Sequence, residues 1–186
     1  SPLMVLGMAG AAMECGFDDF AALVTVGFAA ILRTQDLLAM RRDDVKFAGA
    51  TTIIRLNKTK TSVRTGGREV VTIESTVVSS LLRQACAAGP QRGLVWRRPL
   101  HQFPMVWRHV TTSLGVGFLL PYSLRRGGAS WDFIKFASLD RTMEKGRWRS
   151  AKTARIYIQT AVAEAFDIVV DENSRAALVH FARALT

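Results

Sequence analysis

Cysteine and histidine are scarce in this 186-residue chain: two cysteines, Cys15 and Cys86, and three histidines, His101, His109 and His180. Two isolated thiols make no disulfide framework, and the scattered imidazoles show no zinc-ligand spacing. A reducing, intracellular compartment is therefore the default expectation. Long hydrophobic runs are absent as well. No apolar stretch approaches the roughly 20 residues that cross a bilayer, and Met4–Met13 is short and ends in Glu14, which suits a core helix better than a signal peptide. Negative charge is also in short supply. Fifteen acidic residues face 25 lysines and arginines, for a formal net charge of +10. Such an excess calls for a polyanionic partner, nucleic acid before anionic membrane. No carboxylate cluster is spaced to hold a pair of magnesium ions.

What is present makes a core. The length suits one domain, and a 49% hydrophobic composition argues against disorder. The chain opens on Ser1-Pro2, which we read as the start of an excised domain. Leu3–Cys15 and Asp18–Leu32 are Ala-rich apolar stretches broken at Gly16, with Asp18 or Asp19 as the expected N-cap of the second. A short helix is expected at Thr34–Met40, capped by Thr34. The β-branched runs Thr51–Leu56 and Glu69–Ile73 predict two antiparallel strands, joined by the basic connection Asn57–Arg68. Helices follow at Ser75–Ala88, which stops at Gly89-Pro90, and at Gln102–Leu114, with Trp107 and Val110 inward. Further helices are expected at Ser123–Phe136, Leu139–Lys145, Ser150–Gln159 and Asn173–Leu185. The fold class is α+β, mostly helical, with a small antiparallel β-sheet.

Two blocks in the last third carry the chemistry: Pro121–Gly128, P-Y-S-L-R-R-G-G, and Gly146–Tyr157, G-R-W-R-S-A-K-T-A-R-I-Y. They set an arginine, an indole and a phenol in order, with Trp148 and Tyr157 nine positions apart. A phenol beside guanidinium groups suits attack on a phosphodiester, with the arginines holding the non-bridging oxygens. Tyr122 and Arg125 share one side of a helical turn, Arg126 points elsewhere, and Gly127 and Gly128 permit close backbone approach. Each residue also has an ordinary reading. Arg33 pairs with Asp36, Lys58 and Lys60 sit on a solvated basic loop, Trp148 is core, and Tyr157 is half-buried on a helix.

Taken together, four blocks resemble the catalytic domain of the tyrosine recombinases, the phage-integrase and Cre type, and within it the retrotransposon- or Crypton-borne branch. R-T-Q-D-L-L-A-M resembles the first-arginine box, and N-K-T-K-T-S-V-R-T-G-G-R-E the hairpin with the catalytic lysine. Y-S-L-R-R-G-G-A resembles the His-x-x-Arg box, and the block ending at Tyr157 the box that runs into the nucleophile. The match spans about Asp18–Ala165. The resemblance implies Arg33 and Arg125 as catalytic arginines, Lys60 as the acid for the leaving 5′-hydroxyl with Lys58 as fallback, and Trp148 packed at the scissile phosphate. It implies Tyr157 as the nucleophile of a 3′-phosphotyrosyl intermediate. Tyr122 stands where the family has histidine, and its phenol, with a pKa of about 10, suits a phosphate-side hydrogen-bond donor better than a base. Lys58, Arg64, Arg126, Arg147, Arg149 and Lys152 are the expected DNA contacts.

The implied chemistry needs no cofactor, neither metal nor ATP. The implied partners are double-stranded DNA and further copies of the chain, a tetramer on DNA, in the nucleus of a eukaryote or the cytoplasm of a bacterium. The implied domains are a catalytic part over 1–170 and a C-terminal amphipathic helix over 171–186, with the N-terminal DNA-clamping domain absent. That helix either docks on a neighbouring protomer or packs within its own chain. A type IB topoisomerase, a non-catalytic DNA-binding descendant, and a basic helical domain for RNA or membrane are the competing classes.

Overall fold

The computed structural model describes residues 1–56, 69–159 and 170–185. Lys58, Lys60 and Arg64, and with them the expected basic connection, lie outside the described residues. Among the described residues, helices α1 (Pro2–Glu14), α2 (Asp18–Ala29) and α3 (Thr34–Leu38) come first. Strands β1 (Val45–Ala48), β2 (Thr51–Leu56) and β3 (Glu69–Glu74) follow. Then come α4 (Thr76–Ala87), α5 (Phe103–Ser113), α6 (Ser123–Phe136), α7 (Leu139–Gly146), α8 (Ala151–Tyr157) and α9 (Glu172–Arg183). The architecture is the expected mostly helical α+β fold with one small antiparallel sheet.

Helix α2 is the hub because it is apolar almost all round. Phe20 to Gly27 are all buried, and α1, α3, α4 and α6 pack against it. Neither Asp18 nor Asp19 caps it. Phe17 holds the N-cap position, and the Asp19 carboxylate is wholly buried, accepting from the backbone N–H of Phe20 and Arg97 at 3.0 Å each and pairing with Arg98. A buried carboxylate needs such partners. Likewise Arg33, not Thr34, is the N-cap residue of α3.

The sheet has three strands in the order β1-β2-β3, one more than expected, with Ile54 opposite both Val45 and Val71. Four residues were too few for β1 to show a period; it pairs because β2 offers it a free edge. Helix α4 lies on the sheet, where its Ser79 hydroxyl meets that of Thr52 at 2.7 Å.

The C-terminal helix α9 packs on α1 of the same chain, burying Leu178 and Ala182. Two glycines of α1 make this possible. A Cβ on Gly10 would lie 2.2 Å from the Phe181 carbonyl oxygen, and one on Gly7 2.6 Å from a Leu178 methyl. Among the described residues, no helix is long and apolar enough to cross a membrane.

Candidate functional site

Arg125 lies in the first turn of α6 and is 1% exposed. Its guanidinium donates to two main-chain carbonyls, Ile31 in the turn after α2 and Gly146 at the end of α7 (2.7 Å). Its face lies 4.7 Å from the Trp148 ring centroid and 5.2 Å from that of Tyr157, so both rings sit on the cation. Burial, then the charges of Arg33 and Arg147, lowers its pKa to about 10.

Backbone in unusual conformations builds this cradle. Ile31 has φ 52° and Arg147 φ 57°. The left-handed region is unfavourable for any side chain and most of all for a β-branched one. The Ile31 turn supplies one carbonyl to Arg125, and the Arg147 turn ends α7 so that Gly146 supplies the other. Gly146 has a second role: a Cβ there would fall 2.1 Å from the Trp148 ring, so the indole rests directly on backbone. Trp148 in turn stacks on Tyr157, with centroids 4.7 Å apart.

Tyr157 is the last residue of α8, a helix capped by Ser150, which accepts from the Thr153 N–H at 3.2 Å. Ser130 of α6 holds the chain just beyond it. The Ser130 hydroxyl lies within donating reach of the carbonyls of Arg126 (3.0 Å) and Tyr157 (3.4 Å), which share its one proton, and accepts from the Gln159 N–H at 2.8 Å.

Tyr122 differs from expectation. Its phenol, with Arg125, was expected to aim at a phosphate. Instead Tyr122 is 46% exposed and faces Tyr157, the ring centroids 5.6 Å apart, and the two hydroxyls interact. Burial, and then the Tyr157 hydroxyl, push Tyr122 up to about 12. Burial also raises Tyr157, but the Tyr122 hydroxyl and then Arg125 and Arg33 outweigh it, and its pKa is lowered. With its pKa raised, Tyr122 stays protonated beside the Tyr157 hydroxyl.

Arg33 is half-buried and keeps its ordinary partner, Asp36, at 3.7 Å, while its charge reaches Arg125 and Tyr157. Arg147 needs a correction. Expected on the DNA-facing surface, its side chain is only 10% exposed, with Nη2 3.5 Å from Asp36 and Nε 3.3 Å from Glu69. Two carboxylates on separate elements hold it inside. Arg149 and Lys152 are exposed and Arg126 is half-buried.

The structure therefore brings Arg33, Tyr122, Arg125, Trp148 and Tyr157 together. Sequence reasoning missed Asp36 as a shared anion, and missed Glu69, Ser130 and Ile31. Only Asp36, three residues after Arg33, carried a local signal. Arg33 Nη1 and Arg125 Nε are buried without a hydrogen-bond partner among the described residues, while Arg147 Nε and Glu69 Oε2, also without a well-aligned hydrogen bond, face each other as an ion pair at 3.3 Å. Buried guanidinium donors left over in this way are what an anion would satisfy.

No protein-family model matches the sequence, and no curated protein matches it at the sequence level. The structure, however, is similar to the XerH site-specific recombinase bound to its difH substrate in a pre-cleavage complex. That comparison gives a TM-score of 0.64 and 15% identity over 88% of this chain and 51% of the recombinase. The post-cleavage complex of XerH with palindromic difH gives 0.68 and 15% identity, over 88% and 50%. The fold is thus tyrosine-recombinase-like. This chain spans about half the length of those recombinase chains.

Proposed function

We propose that this domain breaks and rejoins DNA through a covalent 3′-phosphotyrosyl intermediate, as part of a site-specific recombinase or the integrase of a mobile element. The observation that carries the reading is the seating of the Tyr157 phenol on Arg125, with Trp148 and Tyr122 on either side, in a fold shared with a DNA-bound recombinase. The Tyr157 phenol gives up its proton to solvent, its oxygen attacks the scissile phosphorus, and the bond to the 5′-oxygen breaks. Lys60 supplies the proton to that oxygen. Arg33 and Arg125 balance the charge that builds on the phosphoryl oxygens. Tyr122 acts on the nucleophile: held protonated, it donates to the Tyr157 oxygen and favours the phenolate. Reversal by a second strand's 5′-hydroxyl rejoins the DNA. A tetramer assembles on the duplex, in the nucleus of a eukaryote or the cytoplasm of a bacterium.

A second reading has its own support. Arg125 spends both terminal nitrogens on main-chain carbonyls and lies beneath two rings. A phosphate reaches it only if Tyr157 moves aside. A domain that binds DNA without cleaving it would look like this too.

One experiment separates the two. The protein is incubated with a pool of nicked duplexes of randomised sequence, so that cleavage releases a short strand and traps the adduct. A band that survives denaturation and disappears in Tyr157→Phe supports cleavage. Binding by mobility shift with no such band supports the second reading.

A further inference from the structure

Asp36 stands between two arginines: its Oδ2 is 3.7 Å from Arg33 Nη1 and 3.5 Å from Arg147 Nη2. Glu69, the first residue of β3, lies 3.3 Å from Arg147 Nε on the other side. We propose that Arg147 is a positioning residue that engages Asp36 and Glu69 together, so that the charge of Arg33 and Arg125 stays directed at the Tyr157 hydroxyl. Its purpose rests on the cleavage reading; its geometry does not.

Three observations carry it. First, Arg147 is nearly enclosed while Arg33 remains 31% exposed, so Arg33 faces the open side and Arg147 backs it from within. Second, Arg147 is tied to four elements: Asp36 of α3, Glu69 of β3, and the carbonyls of Ala30 (3.5 Å) and Lys145 (3.4 Å). The turn it anchors leads straight into Trp148, which covers Arg125 and Tyr157. Third, its left-handed φ of 57° is one that glycine adopts freely and arginine does not, so the side chain must return what the backbone gives up. Among the described residues, three guanidinium groups and two carboxylates leave this cluster with one net positive charge. Without Arg147, Asp36 turns wholly to Arg33, Glu69 is left unpaired, and the positive excess at the phenol falls by one charge.

The phenol itself reports on this, because the chain contains only two tyrosines. Protein labelled with 13C at tyrosine Cζ gives two NMR signals, assigned with Tyr122→Phe and titrated through alkaline pH. Among the described residues, the titratable and charged groups facing Tyr157 are Tyr122 at the N-cap of α6, Arg125 of α6 and Arg33 ahead of α3. Arg147→Gly, which suits the backbone, is expected to move the Tyr157 midpoint upward, with about threefold to tenfold less phenolate at a fixed pH. Arg147→Lys should stay near the parent, and Arg147→Gly/Asp36→Asn should recover most of the loss. A role in folding alone would lower thermal stability without moving the midpoint, and removing Asp36 would not restore it.

An unmoved midpoint in folded Arg147→Gly, or no recovery in the double variant, overturns the proposal. If Arg147→Gly does not fold, Asp36→Asn and Glu69→Gln in the parent should each shift the midpoint downward, and no shift in either overturns it equally. The titration uses no DNA. An absent covalent adduct alongside the expected titration would sink the cleavage reading and leave Arg147's role standing.

Discussion

Replacing Arg125 with alanine should damage the fold before it damages any chemistry. The guanidinium is 1% exposed and donates to the Ile31 and Gly146 carbonyls. Charged hydrogen bonds of this kind contribute about 1.5–3 kcal/mol each, and the two ring contacts about 0.5–2 kcal/mol more. Against this, alanine no longer buries a charge crowded by Arg33 and Arg147, which is what lowers the Arg125 pKa. A net loss of about 3–5 kcal/mol results, the range for breaking a buried charge network. For a domain stable by about 5–15 kcal/mol, that is a large fraction. At about 2–4 °C per kcal/mol for a chain of this size, the melting midpoint should fall by roughly 6–20 °C. Arg125→Lys keeps the charge but lacks the planar fork that spans two carbonyls, so it should fall between. Circular dichroism melts of the three proteins decide it. An alanine variant that melts within about 2 °C of the parent would refute the reasoning. It would mean that the two carbonyls find other donors and that Arg125 is free for a ligand.

Gly146→Ala should push the Trp148 ring off its seat, because the new Cβ falls 2.1 Å from it, and quench or shift indole fluorescence with a cost of about 1–3 kcal/mol; an unchanged spectrum and melt would contradict the packing. Gly10→Ala should separate α9 from α1, since the contact it violates is backbone at 2.2 Å, and should speed proteolysis of the C-terminal helix. Tyr122 has a folded pKa of about 12 against about 10 unfolded, so it contributes stability that is complete below pH 10 and is lost as pH rises through 12. Tyr122→Phe should remove that alkaline loss, which is small because the ring is 46% exposed, and should raise the Tyr157 midpoint measured by NMR. Binding to a generic duplex should weaken steeply with salt, and Arg149→Gln and Lys152→Gln should each flatten that slope by about one unit while Arg147→Gln leaves it unchanged. A flatter slope for Arg147→Gln would return that residue to the DNA surface.

Much of this protein was legible in one dimension. Helix positions followed from apolar periodicity and from breakers such as Gly89-Pro90, and the observed ends differ by three residues at most. The order of the arginine, indole and phenol, the spacing of Trp148 and Tyr157, and the excess of positive charge pointed to a phosphate-handling site. The structure gathers those residues. These features are local or additive, so they survive without a fold. What the tertiary structure alone decided concerns partners far apart in the chain. Arg125 reaches back 94 residues to Ile31, and Arg147 reaches back 111 to Asp36. Neither partner has a pattern that marks it, because a carbonyl is present at every residue and a carboxylate near an arginine is ordinary. The same holds for Tyr122, whose phenol turned to Tyr157 only because α6 and α8 meet there. Sequence says which groups are charged; burial decides whether a charge faces a ligand or is consumed by the fold, and burial is a property of the packed whole.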